Sequence, residues 1–290
     1  LAHSLWNCTL EPLEILDSNA DSHGFAVRLG LRFVEGLGPT SQAALAVALQ
    51  GGLFTSVEDV VSRSGLMPSD LKMLAKAGAF ESLCPGRRQA LWRVLSLLRP
   101  KRSMPLLEAL IANARAKVDD IEAEGGGEID CLYEAPVELP SMTELEEVVA
   151  DYRTMNLSTN KHPMAFYRDW AKSRKIHSCL ALYSQEDGDD VIVAGGIICR
   201  QRPETAKGFV FLTLEDETGM ANVIIKPKLF EIYRELVVTG SLIQVHGLLQ
   251  LDQGVCNVIA RHFELLPPLP SISSMPSMSD GVYLPARNFH

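Results

Sequence analysis

Gly208-Phe209-Val210-Phe211-Leu212-Thr213-Leu214-Glu215 is the stretch on which the fold turns. Successive side chains of an extended chain point to opposite faces. Val210, Leu212 and Leu214 therefore share an apolar face suited to a core, and Phe209, Phe211, Thr213 and Glu215 share the other. The stretch is the second of five β-rich runs, at residues 191–199, 208–215, 220–225, 241–251 and 255–263, separated by turn signals. A helical stretch, 227–237, falls between the third and fourth. Five strands with one helix in that position is the order expected of an OB barrel.

Upstream the pattern is helical. Gly36-Leu37-Gly38-Pro39-Thr40 leads into a helix over 41–49, with Pro39 suited to a first helical position. Further helices are expected over 57–64, 69–77 and 87–98, the last with Leu91, Val94, Leu95 and Leu98 on one face. Gly78 suits the stop of the third. A helix is expected over 105–121, Gly125-Gly126-Gly127 reads as a flexible linker, and short helices are expected over 144–154 and 164–173. The fold class is thus α+β and multidomain, a helical hairpin region followed by a five-stranded barrel. The expected divisions are 1–23, an irregular remnant of an upstream module; 24–102, the hairpin region; 103–150, an acidic linker; 151–190, a helical connector; 191–266, the barrel; and 267–290, a Pro-, Ser- and Met-rich tail.

The chain has 290 residues and a formal net charge of −9. Its apolar fraction of 47% supports a sizeable core and excludes wholesale disorder. No apolar run reaches about 18 residues, so a helical membrane span is excluded. The acidic total argues against nucleic acid until it is divided. Residues 1–23 carry −4, 24–102 carry +6, 103–151 carry −11, 152–190 carry +1, 191–266 carry −1, and 267–290 balance. A basic module attracts phosphate backbones whatever charge the rest of the chain carries. The six cysteines (Cys8, Cys84, Cys131, Cys179, Cys199, Cys256) are widely spaced, which argues against a zinc knuckle and fits a reducing cytoplasm. Cys199 and Cys256 lie in apolar runs and read as small core residues.

Two features carry the expected function. Gly36-Leu37-Gly38 lets a phosphate approach the backbone, and the helix that follows presents free N–H groups and a positive dipole end. Arg28, Arg32 and Thr40 flank this turn. Lys72 and Lys76 precede Ala77-Gly78-Ala79, a second hairpin with one glycine. The turn equally serves simply to close a helical pair, and the lysines equally form a solvated face. On the barrel, Phe209 and Phe211 suit stacking on unpaired bases, and Arg200, Arg202, Lys207, Lys226 and Lys228 suit contact with a strand backbone. The two phenylalanines suit packing against a neighbouring domain as well. Glu215-Asp216-Glu217 reads as an exposed hairpin turn rather than a metal site. No P-loop, dinucleotide fingerprint or nucleophile elbow is present, and no residue reads as catalytic or metal-ligating.

These residues resemble a known family. Val27-Arg28-Leu29-Gly30-Leu31-Arg32 running into Gly36-Leu37-Gly38, and Leu71-Lys72-Met73-Leu74-Ala75-Lys76-Ala77-Gly78-Ala79-Phe80, are similar to the helix-hairpin-helix region of bacterial family C DNA polymerase alpha subunits. Asp151-Tyr152-Arg153-Thr154, Leu157-Ser158 and His162-Pro163 resemble that family's approach to its OB domain. Arg200-Gln201-Arg202-Pro203, Thr205-Ala206-Lys207-Gly208 and Leu214-Glu215-Asp216-Glu217-Thr218-Gly219 are similar to its error-prone branch, as is the ending Arg287-Asn288-Phe289-His290. Glu204 departs from the pattern, where the branch has a small residue, and so do Lys226 and Pro227.

The resemblance implies the DNA-holding rear section of an enzyme for damage-induced translesion synthesis. Its catalytic palm, with paired aspartates and magnesium, would lie upstream, and this chain would hold no cofactor. Implied partners are primer-template duplex, single-stranded template and translesion accessory proteins, with no membrane. A chain that begins on Leu1 reads as a piece of something longer. The alternatives are a pure interaction module recruiting accessory factors, and an OB-type tRNA-binding module.

Overall fold

The structure is a computed structural model that describes residues 6–12, 24–99, 138–252, 254–268 and 287–289. The expected helix over 105–121, the glycine run, Cys131 and most of the acidic linker and tail lie outside the described residues. The chain forms two compact units. One holds Leu1–Leu31 and Gly36–Ser141; the other holds Arg32–Glu35 and Met142–His290.

The first unit opens with a two-stranded antiparallel ribbon, β1 (Thr9–Pro12) on β2 (Phe25–Arg28), so the opening segment is not wholly irregular. Four helices follow: α1 (Pro39–Gln50), α2 (Val57–Arg63), α3 (Pro68–Lys76) and α4 (Arg87–Leu98). Each start has a local cause. Pro39 and Pro68 open α1 and α3, where a missing N–H costs nothing, and the Ser56 side chain caps α2 by accepting the Asp59 N–H at 3.1 Å. Leu71, Leu74, Phe80 and Val94 are almost wholly buried. Leu95, expected on the buried face of α4, is 37% exposed; Ala90 is buried instead.

In the second unit, Thr143 and Glu146 form a reciprocal capping box that starts α5 (Glu144–Met155). This helix crosses the division expected at residue 150. A 3-10 turn, Pro163–Tyr167, runs into α6 (Arg168–Ser173). Leu145, Val149, Met164, Tyr167, Ala171 and Ile176 bury themselves against Ala194 and Leu242, so these helices are packed on the barrel.

The barrel strands are β3 (Asp190–Gln201), β4 (Val210–Asp216), β5 (Gly219–Ile225), β6 (Leu242–Asp252) and β7 (Val255–Leu265). Helix α7 (Pro227–Thr239) separates β5 from β6. The strands pair antiparallel except β5 with β7, which are parallel, and β3 closes the ring by pairing with β4 along one half and β6 along the other. This is the five-stranded OB barrel that the sequence predicts. Val210, Leu212 and Leu214 point into its core, as the alternation requires, with Val223, Ile225, Ile243, Val245 and Val258. Cys256 joins them, but Cys199 is only half-buried. A register shift after Ile197 places Cys199 opposite Thr213, on the outward side of the strand. A short β8 (Arg287–Phe289) runs parallel to the end of β3. Among the described residues, no helix is long and apolar enough to cross a membrane.

Candidate nucleic-acid interface

In the first unit, the glycine turn has the geometry a phosphate contact needs. Gly36 takes φ +82°, a conformation that penalises a side chain, and Gly38 is extended. A Cβ built on either glycine meets nothing within 4 Å, so the backbone is bare on its outer side. Helix α1 begins directly after it, without a side-chain cap at Gly38, and Thr40 is exposed. Uncapped N–H groups and the helix dipole make this end attractive to an anion. Ser41 is buried and donates to Asp70 at 2.6 Å, which pins the first turn of α1 to that of α3. The element ahead of the turn is a single 3-10 turn, Leu31–Phe33, not a full helix.

The basic residues of this region divide sharply. Arg28 is held in a two-point ion pair with Glu11 across the ribbon, which offsets its charge. Arg32 belongs to the segment grouped with the second unit. Arg63 and Arg93, which swell the regional charge, pair with Asp59 and Glu58. Lys72 and Lys76 remain exposed on one face of α3. At the second hairpin Gly78 has φ +78°, but the Arg87 guanidinium lies 2.9 Å from where its Cβ would be. A phosphate reaching that turn would meet a cation rather than bare backbone.

On the barrel, Phe211, Thr213 and Glu215 lie on the outer face of β4, with Phe211 half-buried. Phe209 lies just ahead of the strand, its N–H donated to Ala206 at 3.0 Å. Arg200, expected at the strand backbone, is engaged within the fold. Its guanidinium donates to the Val237 carbonyl at 2.7 Å and to Gly240, closing the C-terminal end of α7. The remaining cations come together. Gly208 abuts Pro227 (3.4 Å from a built Cβ), so the β3–β4 loop lies against the first turn of α7. That brings the segment of exposed Lys207 alongside exposed Lys226 and Lys228, while Arg202 stacks over the Phe230 ring at 5.0 Å. No acidic residue occupies the first turn of α7, whose N-cap has no side-chain bond. Glu204 is exposed in the same loop and opposes this charge.

The acidic stretch does run into the β4–β5 hairpin, with Glu217, Thr218 and Gly219 exposed, but its middle carboxylate is not exposed. Asp216 is 3% exposed. It accepts hydrogen bonds from Arg168 at 2.9 Å, the Cys179 N–H at 2.8 Å, the Thr218 N–H at 2.7 Å and hydroxyl at 2.6 Å, and the Gly219 N–H at 3.1 Å. Burial alone would raise its pKa, but the donors, with Thr218 foremost, hold it below the usual carboxylate range. Among the described residues, no group of three His, Cys, Asp or Glu is placed to hold a metal ion.

The comparisons with known proteins agree with these two units. The family "Helix-hairpin-helix motif" matches residues 1–90, and the family "OB-fold nucleic acid binding domain" matches residues 191–266. Error-prone DNA polymerase 2 of Rhizobium meliloti is 37% identical across 97% of this chain. Error-prone DNA polymerase 1 of the same organism is 39% identical across 92%, and the error-prone DNA polymerase of Sinorhizobium medicae is 40% identical across 84%. The chain spans only about a quarter of these relatives' length, 24%, 24% and 20%.

Proposed function

We propose that this chain, similar to about a quarter of an error-prone DNA polymerase, holds primer-template DNA for such an enzyme during translesion synthesis and repair. The bare Gly36–Gly38 turn at the head of α1 carries the reading. It would grip a duplex phosphate, with Lys72 and Lys76 adding charge from α3, whose first turn Ser41 and Asp70 tie to that of α1. The barrel would hold the single strand: Lys207, Lys226 and Lys228 neutralise its backbone, and Phe209 and Phe211 offer rings to its bases. Nucleotide addition and its magnesium ions would belong to the enzyme's other parts. Accessory proteins and a cytoplasmic setting are part of the same proposal.

Titration of the chain with fluorescent duplex and single-stranded oligonucleotides over a range of salt tests it. Binding should weaken steeply as salt rises, because counterions released on binding are recovered. No strand affinity at low salt would leave the interaction-module reading, and preference for tRNA over single-stranded DNA would favour the tRNA reading.

Two glycines separate contact from folding. Gly38→Val places methyl groups where the phosphate would approach, and its backbone angles suit valine, so duplex affinity should fall while the unfolding midpoint stays put. Gly36→Ala should instead cost stability, about 1–2 kcal/mol, through its left-handed backbone. Equal loss of helicity and binding in Gly38→Val would make the turn structural only.

The phenylalanines have a similar test. Replacing both Phe209 and Phe211 by Ala should weaken single-strand binding by about 1–3 kcal/mol per stacked base. A folded double variant that binds as tightly as the parent would assign both rings to packing.

A further inference from the structure

A basic concavity of about 730 Å³ opens at the far end of β4. Its volume falls within the roughly 300–1,000 Å³ typical of small-ligand sites. On one side it is walled by α6 and the residues that follow that helix, on the other by Glu217 and Thr218 of the β4–β5 turn. The seven residues of β4, about 20 Å of extended chain, separate it from Lys207. The two walls are tied together. The Cys179 N–H donates to Asp216 at 2.8 Å, and the Leu180 N–H to the Thr218 hydroxyl at 3.0 Å.

The charge of this pocket is not balanced. Arg168 and Glu217 pair with each other, and Arg168 also holds Asp216. Lys172 and Lys175 are exposed, and among the described residues neither joins an ion pair. Two ammonium groups thus stand in solvent at the rim, beside an apolar floor of buried Ile176 and half-buried Ala181.

Lys175 occupies a position where the backbone favours another residue. Its N–H donates to the Lys172 carbonyl at 3.1 Å, and the Ile176 N–H donates to the Ala171 carbonyl at 3.0 Å. Those two bonds are the Schellman closure of a helix end. The closure puts Lys175 at φ +58°, a left-handed conformation that glycine takes without penalty. What lysine offers there and glycine lacks is the side chain.

We propose that this pocket takes a nucleotide by its phosphate, with Lys172 and Lys175 as the phosphate's partners and Ile176 and Ala181 as the floor for its sugar or base. Charge-assisted bonds from two ammonium groups suit a phosphate, and the apolar floor suits the body it is attached to. The choice of a nucleotide rests on the strand-holding reading, and the same phosphate could come from a DNA strand or from a free nucleotide.

The test uses the whole chain, with thymidine monophosphate and thymidine as probes. The amide resonances of Ile176 and Ser178 should shift and saturate at about millimolar monophosphate and stay still with thymidine. Lys175→Gly should weaken that binding roughly tenfold or more while the unfolding midpoint holds or rises, since a charge-assisted bond is lost and a strained backbone relieved. Lys172→Ala should weaken it similarly. Lys161→Ala removes a positive charge elsewhere in the same unit and should leave binding unchanged. Equal shifts with both probes overturn the proposal. So does a Lys175→Gly variant that binds as tightly as the parent, or an equal loss in Lys161→Ala. With the pocket upheld, a thymidine strand that displaces the monophosphate makes DNA the source, and one that binds without displacing it makes the free nucleotide the source. If the monophosphate binds and no strand does, the pocket stands and the strand-holding reading falls. If strands bind and the monophosphate moves neither resonance, the pocket falls and that reading stands.

Discussion

Asp216→Ala is expected to destabilise the second unit by about 3–5 kcal/mol, the range seen when one member of a buried ion pair is removed. The wild-type carboxylate collects five hydrogen bonds from Arg168, Cys179, Thr218 and Gly219, so its loss strands donors from three separate stretches of chain. Arg168 keeps Glu217, which limits the damage on that side. Asp216→Asn should fall between wild type and alanine, because an amide oxygen still accepts while the charge for Arg168 is gone. The pH dependence has a definite sign. Donors hold the folded pKa below its ordinary value, so the ionised form stabilises the fold above about pH 4, and that stability is lost as the pH falls through the folded pKa. Urea unfolding followed by circular dichroism, at neutral pH and again near pH 3, measures both. A wild-type-like midpoint in the alanine variant would make the network incidental.

Replacing Lys207, Lys226 and Lys228 together by Ala should flatten the salt dependence of single-strand binding. Each neutralised phosphate of a single strand contributes about 0.7 to the slope of log K against log salt, so three lost contacts should lower it by about 2. At around 50 mM salt the same loss amounts to roughly a hundredfold or more in affinity. Anisotropy of a labelled thymidine oligonucleotide from about 50 to 200 mM salt reads both quantities. Arg200→Ala is the informative control: it uncaps α7 and should cost stability while leaving the slope alone, since its guanidinium is committed to Val237 and Gly240. An unchanged slope in the triple variant would remove these lysines from the interface.

What could be read without coordinates was whatever depends on neighbours in sequence. The alternation at Val210, Leu212 and Leu214 is a two-residue period, and it fixed the face of β4. Pro39, Pro68 and the Thr143–Glu146 box mark helix starts within four residues of themselves. Roles set by distant partners were invisible. Asp216 looked like a turn residue because its donors Arg168 and Cys179 lie 48 and 37 positions away. Arg28 and Arg200 looked free, yet each is engaged by groups 17 or about 40 positions away. Alternation also failed at Cys199, where one register shift turned a residue of an apolar run outward.

The short strand β8 has a consequence for behaviour at high concentration. Beyond Gly196, β3 no longer pairs with β6, and the backbone of Cys199–Gln201 on that side is met by Arg287–Phe289 instead. An uncovered row of peptide groups there would be a template for any extended chain, including another copy of this one. Three residues from near the far end of the chain blunt that edge, and so help keep a closed barrel from becoming the seed of an aggregate.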